Sequence, residues 1–157
     1  TAQEEAGKSW RYVYEWFKKN NITTNELLVL DTSPYETRLE ADVQQVVLRN
    51  RDVNARFKSP ILKQLKNFCH KNNIPFSCKD TFIQDKNKIR KEKGLSLLTL
   101  GSTELGRIVM ESKGTIQGTT LQIPTTGYHT VEETASIKAV KAILHILSSF
   151  YIDNKKA

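Results

Sequence analysis

Cysteine is nearly missing from this chain: Cys69 and Cys78 are the only two in 157 residues. They lack CxxC spacing, which excludes a disulfide framework, and reduced thiols in a cytoplasmic protein are the expected state. Proline and glycine are also few, at four and seven, and there is no low-complexity tract or internal repeat. No signal peptide is recognisable, and no run is long enough to cross a membrane. The longest strongly apolar stretch, 143–152, is too short and is broken by His145 and two serines.

What is present describes an ordinary globule. An apolar fraction of 38% and a charged fraction of 26% fit a folded domain. The length suits a single domain, 1–157, able to bury a core without a disulfide or metal staple. The net charge of +7 is concentrated in Lys86-Asn87-Lys88-Ile89-Arg90-Lys91-Glu92-Lys93 and in Lys155-Lys156. Such a run can attract phosphates. Here no aromatic residue interleaves it and no helix-turn-helix, zinc-finger or RNP pattern accompanies it, so a solvated face is expected rather than a nucleic-acid interface.

Periodicity gives alternating elements. Residues 8–20 read as a helix with Trp10, Val13, Tyr14 and Phe17 on one face. The short apolar run 26–31 (ELLVLD) reads as a buried strand, and 43–49 as another. Pro60 opens a helix to about Asn72, with Ile61, Leu62, Leu65, Phe68 and Cys69 facing inward. Strands are expected at 74–78, at 95–100 between Gly94 and Gly101, and at 119–123, the last stopped by Pro124. A helix or turn is expected at 105–110. The final helix is expected over 131–151, with Ile137, Val140, Leu144 and Leu147 as its core stripe. The fold expected is α/β, a three-layer α/β/α arrangement around a mostly parallel or mixed sheet.

The chemistry-bearing residues fall near strand ends, where open α/β sheets bind ligands. Glu4 and Glu5 adjoin Gly7 just before the first helix. Adjacent glutamates at a strand end point to opposite sides, so one can hold a metal while the other moves protons for a bound water. Asp31 ends the LLVL run and His129 follows the LQIP run by a short loop. Carboxylate and imidazole are standard zinc donors. Each also has a plainer role open to it: an Asx turn for Asp31 before Thr32-Ser33-Pro34, and for His129 a surface loop or a helix start in which Thr130 and Glu133 form a capping box.

TAQEEAG before a helix, LLVLD, Gly101-Ser102-Thr103-Glu104 and QIPTTGYHTVEE, in that order, resemble the C-terminal half of the catalytic domain of two-metal aminopeptidases, in the glutamyl, deblocking and tetrahedral group. The resemblance implies removal of N-terminal residues from peptides by a water activated between two divalent ions, zinc or cobalt. It implies Glu4 as the general base, Glu5 and His129 as ligands of one metal and Asp31 as a ligand of the other. It also implies a homo-oligomer. Members of that group carry a bridging aspartate and a second histidine before the glutamate pair, and this sequence holds neither. Glu104 stands where they have aspartate. The chain alone is therefore expected to be an incomplete site that binds metal weakly and hydrolyses little. Two other readings stay open: a non-catalytic relative serving as a binding module, and a basic nucleic-acid-binding domain.

Overall fold

The computed structural model describes residues 7–152. The order of its elements is α1 (Ser9–Lys19), β1 (Thr24–Pro34), α2 (Arg38–Asp42), β2 (Val46–Leu48), α3 (Pro60–Lys71), β3 (Phe76–Cys78), α4 (Lys79–Glu92), α5 (Glu104–Glu111), β4 (Ile116–Thr126), β5 (Thr134–Ala135) and α6 (Ile137–Leu147), with a π-helical turn over Ser148–Ile152. The strands form one mixed sheet in the order β1-β4-β2-β3, with β5 paired to β4. β1 runs parallel to β4 and β2 parallel to β3, whereas β2 and β4 are antiparallel.

Side-chain alternation along the strands sorts the core into two layers. Val46, Leu48 and Leu121 face Ile61, Leu62 and Leu65 of α3 and Ala142 and Ile146 of α6. On the opposite face, Val47 packs with Tyr35, Ala41 and Phe82, while Leu27 and Val29 pack with Leu105 and Val109 of α5. Helices thus cover both faces, and the three-layer α/β/α fold stands. The apolar contacts on the second face form two separate clusters, one around Val47 and one around Leu105 and Val109.

Several boundaries differ from the sequence expectation. Residues 95–100 form no strand. Gly94 and Gly101 both adopt positive φ, and the segment is held by side chains instead: Asn87 binds both the amide and the carbonyl of Leu98, and Arg90 donates to Ser96 O. Pro124 does not stop β4, which continues to Thr126; its missing N–H costs no ladder bond where the partner does not need it. The last helix starts at Ile137, because the Ser136 side chain accepts from Ala139 N and so caps it there. Its phase also differs. Ala139, Ala142 and Ile146 are buried, while Ile137 is 74% and Leu144 60% exposed.

Candidate functional site

Asp31 lies within β1, three residues before its end, because the strand runs on to Pro34. Its ladder partner on β4 is Gln122, and this pairing builds a polar line across the sheet. Gln122 Nε2 donates to Asp31 Oδ2 at 3.0 Å and to Thr32 O at 2.8 Å. Gln122 Oε1 accepts from Arg49 Nε at 2.7 Å, and Arg49 Nη1 reaches Leu100 O at 2.6 Å. Thr32 N donates to Asp31 Oδ1 at 2.7 Å. That contact is with the next residue of the strand, so Asp31 does not open an Asx turn. Burial pushes the Asp31 carboxyl above its usual range, against the hydrogen bonds from Thr32 and Gln122 and the attraction of Arg49.

His129 belongs to the turn that leaves β4. The turn is tight: Gly127 has φ +71° and a Cβ there would lie 2.8 Å from Glu132 O. Thr130 Oγ1 donates to Gly127 O at 2.6 Å, and Glu133 Oε2 accepts from His129 N at 3.4 Å. Thr130 and Glu133 therefore brace a turn and cap no helix. His129 itself has φ 60°, an uncommon left-handed conformation for a side chain of this size, and its ring meets Tyr128 edge-on at 3.9 Å.

The fold brings Asp31 and His129 to one cavity of about 260 Å³, whose lining also includes Glu104, Tyr128 and Glu133. Glu104 is the first residue of α5, set by Thr103, whose side chain accepts from Gly106 N. Glu133 Oε1 is buried there without a hydrogen-bond partner. Carboxylates and an imidazole are the donor chemistry that zinc takes. Their number falls short, because among the described residues no three such groups stand close enough to hold an ion. Glu4 and Glu5 lie outside the described residues.

A second cavity, of about 470 Å³, shares Asp31, Thr32 and Tyr128 with the first and extends to Tyr35, Arg49, Lys79 and Phe82. Arg49 and Lys79 were not expected from the sequence. The available signal was a cation immediately after each of two short apolar strands, VVL and FSC. The basic run lies on α4 and beyond, and much of it is paired: Lys86 with Glu36 and Glu40, Lys88 with Asp85, Arg90 with Glu36. The sequence suggests a solvated face; Lys88 is exposed on α4, whereas the Lys86 and Arg90 side chains are only 27% and 24% exposed. Among the described residues no helix is long and apolar enough to cross a membrane, and both cysteines are free.

No family model and no curated protein matches the chain. Among solved structures it is similar to PhTET1-12s, described as a dodecamer in the asymmetric unit, with a TM-score of 0.57 at 15% identity. The likeness covers 85% of this chain but only 35% of that one, so the chain spans about a third of the structure it matches. At this identity what the two share is the α/β fold.

Proposed function

We propose that this chain is part of the catalytic domain of a metal-dependent aminopeptidase, and that Asp31 and His129 are two of its metal ligands. The observation that carries the reading is convergence. Two residues singled out separately, one on β1 and one after β4, line the same cavity beside two further carboxylates. The similarity to PhTET1-12s, a tetrahedral aminopeptidase, supports a peptidase-like fold and goes no further. The dodecameric arrangement of that neighbour is consistent with a homo-oligomer for this chain too.

In this reading Glu5 joins His129 on one ion, Asp31 serves the other, and Glu4 is the general base. Bound ions would supply a water acidic enough to attack a peptide carbonyl near neutral pH. The residues of this chain supply donors and a proton acceptor. Gln122 and Thr32 N fix the Asp31 carboxylate in one orientation, the support from neighbouring hydrogen bonds that metal-ligating carboxylates commonly have. An ion would also offset the burial that now disfavours the charged form of Asp31, so metal affinity should rise with pH.

Cobalt(II) titration followed by visible absorption tests this. Weak binding by the chain is expected, falling at least tenfold in both Asp31→Ala and His129→Ala. Identical isotherms for all three proteins would remove the metal reading and leave the non-catalytic binding module in its place. In a protein that carries this chain and cleaves peptides, Glu4→Gln should lower kcat by about 10²–10⁴-fold with metal content unchanged. Undiminished turnover would remove Glu4 as the base.

A further inference from the structure

Arg49 and Lys79 are each only 5% exposed, and among the described residues neither forms an ion pair. The Arg49 guanidinium donates only to neutral oxygens, those of Gln122 and Leu100. Lys79 Nζ donates to Pro34 O at 2.5 Å and lies over the rings of Tyr35, at 4.1 Å, and Phe82, at 5.2 Å. Buried cations are normally matched by a carboxylate, since an unmatched one is costly. These two are also neighbours. Leu48 and Cys78 are the last paired residues of the parallel β2–β3 ladder, so Arg49, leaving β2, and Lys79, opening α4, follow from adjacent positions. Each disfavours the other's charge, and both line the cavity of about 470 Å³.

The acids of that cavity make other contacts, although Glu40 keeps its Oε2 buried without a hydrogen-bond partner and acts on Lys79 only through space. Glu36 and Glu40 hold Lys86, and Asp31 is tied to Gln122 and Thr32. The remaining wall is largely apolar, from Tyr35, Phe82, Leu98 and Leu100. We propose that this cavity is an anion-binding site, which takes a carboxylate between Arg49 and Lys79 and packs the ligand's apolar or aromatic body against Tyr35 and Phe82. The volume suits a ligand of small-molecule size. A bound carboxylate would relieve the repulsion between the two cations and give each a charged partner. This goes beyond the peptidase reading and does not require a metal.

Calorimetric titration of the metal-free chain with benzoate, phenyl phosphate and benzamide tests it. Benzoate is expected to bind at least tenfold more tightly than the neutral, nearly isosteric benzamide, and to lose at least tenfold in Lys79→Met. Equal binding of benzamide, or no binding of any of the three at millimolar concentration, overturns the site. Binding of phenyl phosphate alone overturns the carboxylate assignment. Should Lys79→Met not fold, amide shift mapping on the unaltered chain decides. Benzoate should move Tyr35, Arg49 and Gly101, and changes confined elsewhere count against the proposal. Failure here leaves the cobalt result at Asp31 and His129 standing, and failure there leaves this one.

Discussion

Lys79 carries a charge into a place with little water, and burial, followed by the repulsion of Arg49, lowers its pKa from 10.5 to about 8. The consequence for stability has a definite sign. Below about pH 8 the lysine is charged in both the folded and unfolded chain, and the full penalty of burying it is present. As pH rises from 8 towards 10.5 the folded form releases its proton first, so this penalty fades and stability increases. The shift corresponds to about 3 kcal/mol at most. Lys79→Met keeps the stem, loses the charge and gives up the bond to Pro34 O, so it should stabilise the chain by about 1–2 kcal/mol at pH 7. The gain should shrink by pH 10. Urea midpoints at both pH values measure it, and a variant less stable at pH 7 would mean that Lys79 is a structural residue. That Asp31 and His129 stand near one another could be suspected from sequence, because each follows an apolar run, and the two do line one cavity. Arg49 and Lys79 follow runs of only three strand residues, and nothing local shows that the sheet places them side by side.

At the scale of elements, α5 depends on one acid from another loop. Asp52 Oδ2 accepts from Thr103 N and Thr103 Oγ1, at 2.8 and 2.9 Å. Its Oδ1 accepts from Asn54 N and Ala55 N, at 2.7 and 2.9 Å. Gly106 makes room for it, since a Cβ there would fall 2.0 Å from Asp52 Oδ2. The acid thus joins the turn after β2 to the start of α5, and so fixes Gly101 and Ser102 on the cavity wall. Asp52→Ala leaves these donors buried without an acceptor and should cost about 3 kcal/mol in a urea melt. A loss below about 0.5 kcal/mol would mean that water replaces the carboxylate. Strong periodicity made α1 and α3 legible, 105–110 was legible only as a helix or turn, and β-rich apolar runs marked β1 to β4. The 95–100 run was misleading because its leucines have the composition of a strand without a neighbouring strand to pair with: Leu95 and Leu97 are half or more exposed. α6 was misread in phase because small Ala139 and Ala142 allow close approach to the sheet. Hydrophobicity alone favours the larger residues on the other side.

For the whole molecule, that inverted phase leaves an apolar face exposed. Ile137, Val140 and Leu144 of α6 are exposed, and Leu30 of β1 is 55% exposed. Leu30, Val140 and Leu144 meet in a groove of about 160 Å³ with Leu121 and Ile123 beneath. Beside it runs the outer edge of β1, the terminal strand of the described sheet. An unpaired strand edge next to a contiguous apolar patch is a surface that associates. The chain alone should therefore self-associate through this face, with an average mass in sedimentation equilibrium that rises with concentration. Val140→Lys with Leu144→Lys should hold it monomeric across the same range. Because Leu144 is 60% and Val140 42% exposed, the urea midpoint should move by no more than about 1 kcal/mol in equivalent stability. A chain that stays monomeric at hundreds of micromolar, and binds no hydrophobic dye, would mean that this face is tolerated in water. An association that survives both lysines would place the contact on the bare edge of β1, where backbone pairing rather than apolar burial holds the copies together.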